Sequence, residues 1–167
     1  MKLPVSRRLG FIAIFLACAA MIAFALYLQY YKFLNPCPLC IFQRVCVLAT
    51  GLIALLGAIH NPKSDMGGRV YGFLTLVAGA TGFGIAARHT YIQYWPPADS
   101  ASCGAGLNMM LQTQPFLHVL KVVLYGTGEC AQIDWTLLGL SLPGWSAIGF
   151  VGLMALALWV GFTGRRR

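Results

Sequence analysis

Two cysteines separated by two residues, Cys37 and Cys40, are the first feature of the sequence that could do chemistry. A disulfide across so short a loop removes little entropy from the unfolded chain, so a structural role explains the pair poorly. In a Cys-x-x-Cys arrangement one thiol can resolve a mixed disulfide formed by the other, and the thiolate form is favoured. An apolar run follows Pro38, so we expect Cys40 in the first turn of a helix, whose positive end stabilises a thiolate. The spacing therefore predicts thiol–disulfide exchange.

Arg44 follows Cys40 by four residues, which is one turn along the same face of a helix. A guanidinium within an apolar segment is costly unless its head reaches the membrane interface or serves an anion. Snorkelling to the interface is one explanation. We favour the other, in which Arg44 stabilises negative charge on the Cys40 sulfur and on a reduced cofactor beside it.

A second pair of cysteines, Cys103 and Cys130, encloses a loop of 28 residues. A permanent disulfide across this loop contributes about 3.5 kcal/mol on the chain-entropy account, so a structural staple is one interpretation. Both cysteines, however, lie near glycines, in flexible surroundings that suit sulfurs which are attacked and then move to another pair. Four cysteines allow three pairings, and spacing alone does not choose among them.

The two remaining cysteines, Cys18 and Cys46, lie in apolar surroundings and are predicted to be structural, because a buried thiol usually behaves as a small hydrophobe. A zinc site with four cysteine ligands is disfavoured, since the sequence has only one Cys-x-x-Cys motif. We therefore expect no metal ligands.

The composition indicates what must position these sulfurs. The 167 residues are 59% hydrophobic and only 10% charged, with a net charge of +8 and a mean hydropathy of +0.73. Soluble domains carry about 25% charged residues, so a soluble core, a coiled coil and a disordered chain are all disfavoured. The basic residues lie in short clusters beside apolar segments, so nucleic acid is not an expected partner. The chain is predicted to be embedded in a lipid bilayer.

Four apolar segments are long enough to cross a bilayer, which requires roughly 17 to 25 residues. They predict an all-α, four-helix transmembrane bundle in a single domain over 1–167. Gly79, Gly82 and Gly84 predict close helix contact in the third span. The spans are 9–31, 41–59, 70–87 and 144–162, joined by loops 32–40, 60–69 and 88–143.

The basic residues predict the orientation, because cytoplasmic loops are enriched in Lys and Arg. The two termini and the loop 60–69 carry a net charge of +7, whereas the rest of the chain carries +1. We therefore expect both termini in the cytoplasm and Cys37, Cys40, Cys103 and Cys130 on the exported, oxidising side. A cleavable signal peptide ending near Ala25 is a weaker alternative, because 23 uncharged residues are long for one.

The long exported loop, 88–143, has apolar residues at helical spacing on either side of Pro115. This pattern predicts a short helix, broken at the proline, that lies on the bilayer surface. A loop folded over the ends of the membrane helices is an equal alternative.

Together these features resemble the bacterial inner-membrane disulfide bond formation protein B (DsbB) family. The combination is far more specific than a Cys-x-x-Cys motif alone. The resemblance is carried by Cys37-Pro38-Leu39-Cys40 with Arg44, by Arg88-His89-Thr90-Tyr91-Ile92-Gln93, by Cys103, by Gly128-Glu129-Cys130-Ala131 with Trp135, and by Pro143-Gly144-Trp145.

The resemblance implies a quinone-dependent thiol oxidase of the bacterial inner membrane, with its active site on the periplasmic face. Cys103 would accept the thiolate of a DsbA-like periplasmic thioredoxin-fold partner. Electrons would then pass from the long-loop pair to Cys37 and Cys40 through a disulfide between Cys37 and Cys130. Cys40 would face the quinone, either ubiquinone or menaquinone.

The resemblance also assigns residues to the quinone itself. Arg44 would lie beside the Cys40 thiolate, and His89 and Gln93 would help to bind the head group. Two alternatives stay open: a DsbB-like paralogue with a different thiol partner, and a non-enzymatic membrane scaffold whose disulfides are permanent.

Overall fold

A computed structural model describes residues 6–62, 64–96, 112–126, 128–133 and 135–163. Cys103, one of the predicted exchange cysteines, lies outside the described residues. So does the part of the predicted surface helix that precedes residue 112.

Four long helices confirm the predicted four-helix fold, and each is long and apolar enough to cross a membrane. Successive long helices run in opposite directions, and α1 contacts α2, α2 contacts α3, α3 contacts α6 and α6 contacts α1. The elements are α1 (Arg7–Tyr31), α2 (Pro38–His60), α3 (Asp65–Tyr94), α4 (Phe116–Tyr125), α5 (Gly128–Ala131), β1 (Thr136–Leu137), β2 (Leu140–Ser141) and α6 (Leu142–Thr163).

Side chains that accept a backbone hydrogen bond begin the first three helices. Ser6 Oγ accepts from the N–H of Leu9, and Ser64 Oγ accepts from the N–H of Gly67. At the start of α2 this role falls to a cysteine, because Cys37 Sγ accepts from the N–H of Cys40. Such caps satisfy amide groups that have no partner within the helix.

One face of α3 is built from small residues and packs closely on α6. A Cβ atom on Gly72 would lie 2.7 Å from the Cα of Gly161, so the two backbones are in direct contact there. Gly79 and Gly82 lie on this buried face, as predicted, whereas Gly84 is exposed and has open space beside it. Small residues let membrane helices approach in this way.

Arg7 ties the first turn of α1 to the start of α3. Its guanidinium lies flat against Gly68, where a Cβ atom would be 2.5 Å from Nη1. It donates hydrogen bonds to the carbonyl of Ser64, at 3.3 Å, and to the carboxylate of Asp65, at 3.2 Å. This end of the bundle is therefore closed by backbone contact and one ion pair.

The helix predicted after Pro115 is present as α4, and it packs against the other end of the bundle. Val119 and Val123 are buried in a cluster with Leu39 of α2 and Ile92 of α3. The loop therefore forms a helix after Pro115, and this helix covers the ends of α2 and α3.

A short hairpin connects α5 to α6 and is not predicted from the sequence. Leu138 and Gly139, its two turn residues, both have positive φ, as a type I′ turn requires. The indole Nε1 of Trp145 donates to the carbonyl of Leu137, at 3.1 Å, and fixes the hairpin to the start of α6.

Candidate active site

The Cys-x-x-Cys pair lies at the N-terminus of α2, the position expected from the sequence. Cys37 is the residue that caps the helix, and Cys40 is in its first turn. The two Sγ atoms are 3.2 Å apart, and Pro38 occupies the first helical position without needing a hydrogen-bond partner. The partial positive charge at this helix end favours negative charge on either sulfur.

His89, on the last turns of α3, faces both sulfurs. The side chain is 2% exposed, which excludes the role of a surface polar residue. Its Nε2 is 3.6 Å from Cys37 Sγ, and its Nδ1 is 4.0 Å from Cys40 Sγ. The ring therefore lies along the pair, with one nitrogen near each sulfur.

Gln43 contacts one ring nitrogen of His89. The Gln43 Nε2 atom is 3.1 Å from His89 Nδ1, and both side chains are buried. With the amide in this orientation its nitrogen donates to Nδ1, and a neutral ring then carries its N–H on Nε2. That N–H is on the side of Cys37.

Cys130, on α5, is brought to the same place from the far end of the sequence. It is fully buried, and its Sγ, the Sγ of Cys37 and one ring nitrogen of His89 all lie within 4.8 Å of one another. The cluster of Leu39, Ile92 and the α4 valines surrounds it with apolar atoms. Three chemically active groups from separate parts of the chain thus meet at one point.

Arg88 and Gln93 hold the segment that carries Cys130. The guanidinium of Arg88 donates to the carbonyls of Leu124, at 3.0 Å, and Tyr125, at 2.9 Å. These carbonyls belong to the last turn of α4 and have no partner within that helix. Gln93 Nε2 donates to the carbonyl of Gln132, at 3.1 Å, so the chain is fastened on both sides of Cys130.

Gly126 ends α4 in a conformation that favours glycine. It has φ of +110°, and a Cβ atom there would lie 2.9 Å from Ile92 Cδ1. A side chain at this position would therefore strain the backbone and crowd Ile92.

A cleft opens beside the Cys-x-x-Cys pair, among α1, α2, α3 and α6. Arg44 lies on its wall, where its guanidinium donates to the side-chain oxygen of Gln29 and to the carbonyl of Ala25, at 3.2 Å. These bonds use only part of the five N–H groups of an arginine. The remaining walls combine apolar side chains with a few polar ones; the lining includes Phe24, Leu28, Cys37, Cys40, Gln43, Val47, His89, Gln93, Trp135, Leu142 and Phe150.

Most predicted site residues thus meet at one end of the bundle. Cys37, Cys40, Arg44, His89 and Gln93 line the cleft, and Cys130 lies against Cys37.

Several polar residues of the site were not predicted from the sequence, among them Gln29 and Gln43. The signal for Gln43 was available, because it is a polar residue in an apolar span, three positions after Cys40 and on the same helix face. Of the other cysteines, Cys18 is buried in the core between the helices, and Cys46 packs against that core.

Known proteins are similar in sequence to almost the whole chain. The family model described as "Disulfide bond formation protein DsbB" matches residues 7–160. The chain belongs to the DsbB family. It is accordingly a multi-pass membrane protein and a disulfide-forming oxidoreductase.

Individual members of the DsbB family agree over similar lengths. The chain is 47% identical to disulfide bond formation protein B of Xanthomonas euvesicatoria pv. vesicatoria over 161 residues, covering 96% of this chain and 94% of the relative. The same-named protein of Azoarcus sp. is 46% identical over 164 residues, covering 98% and 97%. That of Acinetobacter baumannii is 49% identical over 144 residues, covering 86% and 84%.

Proposed function

We propose that the protein oxidises a DsbA-like periplasmic thioredoxin-fold dithiol and passes the electrons to a membrane quinone. The observation that carries this proposal is the meeting of Cys37, Cys130 and His89 within 4.8 Å, next to the cleft lined by Cys40 and Arg44. A sulfur from each cysteine pair is thereby within reach of the other pair. Net oxidation then requires an acceptor of higher potential, and a quinone dissolved in the bilayer is such an acceptor.

The proposed location is the bacterial inner membrane, with the sulfur cluster at the periplasmic face. The charge distribution supports it, since the segments at the other end of the helices carry +7 and the rest +1. An oxidising compartment is also where thiol exchange can be driven towards disulfides.

The proposed exchange begins at the long-loop disulfide between Cys103 and Cys130. The partner's thiolate attacks Cys103, which forms a mixed disulfide, and Cys130 leaves as a thiolate. Cys130 then attacks the Cys37 sulfur of the Cys37–Cys40 disulfide, so that a Cys37–Cys130 bond forms and Cys40 leaves as a thiolate. Each step exchanges one disulfide bond for another and requires no separate oxidant. The approach of Cys130 to Cys37 supports the second step.

His89 has a role in this exchange as well as at the quinone. Its Nε2 lies 3.6 Å from Cys37 Sγ, so a ring N–H there stabilises Cys37 whenever that sulfur is a thiolate. Gln43 occupies Nδ1, the nitrogen nearer to Cys40. The ring proton therefore does not face Cys40. Negative charge on the Cys40 sulfur is stabilised instead by the helix N-terminus and by Arg44.

The cleft fits a quinone head group. Apolar walls suit the ring and its isoprenoid tail, and unused N–H groups of Arg44 suit a quinone oxygen. Gln93 adds an acceptor, because its buried Oε1 has no hydrogen-bond partner among the described residues. When bound, the quinone supplies a sink for two electrons and two protons. The chemistry of the cleft is compatible with ubiquinone and with menaquinone.

The two alternatives differ from this proposal in what they require. A non-enzymatic scaffold requires permanent disulfides within each pair, whereas the approach of Cys130 to Cys37 favours exchange between the pairs. A paralogue with another thiol partner would use the same cluster. Mixing the purified protein with different reduced thioredoxin-fold proteins, and following quinone absorbance, identifies the partner.

The experiment that tests the function is the replacement Cys40→Ser. Purified protein is mixed with reduced partner and quinone, without added metal, and quinone reduction is followed by absorbance. We expect turnover by the wild type and its abolition in Cys40→Ser, because Cys37 then has no partner for a disulfide that Cys130 could attack, and no Cys40 thiolate forms beside the cleft. Cys46→Ala, which changes a thiol six residues further along the same helix, is the control and should keep its activity. Undiminished reduction by Cys40→Ser would refute the mechanism.

A further inference from the structure

We propose that the fully reduced protein binds one thiophilic divalent cation, such as Zn²⁺, through Cys37, Cys130 and His89, with a water molecule in the fourth position. Cysteine spacing alone disfavours a site with four cysteine ligands. The fold adds a buried imidazole and joins ligands that come from the start of α2, from α3 and from α5.

The distances are close to those of a tetrahedral zinc site. With Zn–S of about 2.3 Å and Zn–N of about 2.0 Å, two sulfurs are about 3.8 Å apart, and a sulfur and a nitrogen about 3.6 Å apart. The Nε2 of His89 is 3.6 Å from Cys37 Sγ, which matches the expected distance between a sulfur and a nitrogen ligand. The three ligand atoms of Cys37, Cys130 and His89 lie within 4.8 Å, so the cluster needs to close by about 1 Å around the ion.

Gln43 is suited to support a metal-bound His89. An imidazole that binds metal through one nitrogen normally donates its other N–H to an oxygen, which fixes the ring. Gln43 lies 3.1 Å from Nδ1 and carries both an amide N–H and a carbonyl oxygen. Rotation of this amide lets it donate to Nδ1 without metal and accept from Nδ1 with metal bound at Nε2.

The ion would select one redox state of the protein. Each thiol that becomes a ligand releases one proton, and no electrons are transferred. A sulfur held in a disulfide cannot act as a thiolate ligand, so the site exists only when Cys37 and Cys130 are both reduced. Occupation of the site blocks attack by the same sulfurs and therefore stops thiol exchange.

The test uses full-length reduced protein in detergent micelles under anaerobic conditions, with Co²⁺ as a spectroscopic probe. We expect one Co²⁺ per chain, with the intense visible bands of tetrahedral cobalt and a thiolate-to-cobalt band in the near ultraviolet. Addition of Zn²⁺ should remove both sets of bands. Oxidised protein should show neither, and tetrahedral bands of equal strength in the oxidised protein would overturn the proposal.

Variants identify the ligands. His89→Ala should remove the tetrahedral bands, and Gln43→Leu should weaken binding by about 10- to 100-fold, as loss of a supporting hydrogen bond does elsewhere. Cys46→Ala and Cys103→Ser should keep wild-type spectra and affinity. Bands that survive His89→Ala but vanish in Cys103→Ser would indicate a site with cysteine ligands only and overturn the assignment.

Circular dichroism detects a folding defect in His89→Ala. In that case the Co²⁺ affinity of Gln43→Leu tests whether His89 binds the ion. Wild-type affinity in a folded Gln43→Leu would contradict the proposed geometry. These measurements involve neither quinone nor partner, so failure of the metal site leaves the proposed oxidase activity untouched, and the converse also holds.

Discussion

The two ends of the helix bundle are built in different ways. At the end that contains Arg7, the helices are held by contact between backbones, because Gly72 lies directly against Gly161. At the end that contains Cys37, the helices diverge around a cleft, and side chains span the space between them. Arg44 links α2 to α1 there, and Arg88 links α3 to α4.

One face of α3 contributes to both ends. The buried residues of this face run from Gly68 and Gly72, through Gly79 and Gly82, to His89. The glycines allow close packing between helices, and His89 lies on the same buried face, next to the cysteines. One end of the bundle is thus closely packed and the other carries the reactive groups, and α3 joins the two.

The largest expected effect follows from Gly72→Leu at the closed end. A side chain there collides with the backbone of Gly161, which cannot move aside as a flexible side chain can. Overpacking typically costs about 1–3 kcal/mol, and contact with backbone should place this variant at or above that range. Thermal unfolding in detergent measures the loss, with Gly84→Leu on the exposed face of α3 as the control. Equal melting temperatures for the two variants would show that the close contact does not stabilise the bundle.

A smaller, selective effect is expected from Arg44→Ala at the cleft. Loss of the guanidinium should raise the apparent KM for quinone, or slow quinone reduction, by about tenfold, which corresponds to about 1.4 kcal/mol. Arg44→Lys retains the charge but not the planar set of donors, so its apparent KM and rate of quinone reduction should lie between those of the wild type and of Arg44→Ala. Steady-state kinetics with varied quinone measure both variants. If Arg44→Ala had the quinone kinetics of the wild type, Arg44 would not act on the quinone and would have only a structural role, through its hydrogen bonds to Gln29 and Ala25.

The smallest effect is expected from Arg88→Met. Two carbonyls at the end of α4 lose their donor, so Cys130 is held less firmly near Cys37. Transfer of the disulfide between the pairs should slow by about three- to tenfold, or about 1 kcal/mol, with the KM for quinone unchanged. Quenched-flow alkylation followed by mass spectrometry measures this step. The matched control is Arg69→Met, an exposed position at the closed end of α3, and equal rates in both variants would argue against a role for the α4 contact.

The sequence predicts the helices better than the contacts between distant segments. Hydropathy alone identifies the four long helices, and the packed glycines Gly79 and Gly82 follow from composition. The start of α2 at Cys37 also follows, because Pro38 and the apolar run after it are local signals. Such features depend on neighbours in the chain or on helical period.

The arrangement at the sulfur cluster could not be read from local pattern. Cys130 reaches Cys37 only because α4 packs on Leu39 and Ile92, and that packing depends on residues far apart in the sequence. The bond between Gln43 and His89 likewise needs the register of α2 against α3. Resemblance to a family suggested the Cys37–Cys130 link, whereas spacing left three pairings open.

The central claim is that electrons pass between the two pairs through a disulfide joining Cys37 and Cys130. It is tested most directly by adding one equivalent of reduced partner to quinone-free wild-type protein, quenching with acid, and mapping disulfides by mass spectrometry. We predict that a Cys37–Cys130 linkage accumulates and that Cys40 becomes available for alkylation. An intact Cys37–Cys40 disulfide, alongside a reduced Cys103 and Cys130, would contradict the account.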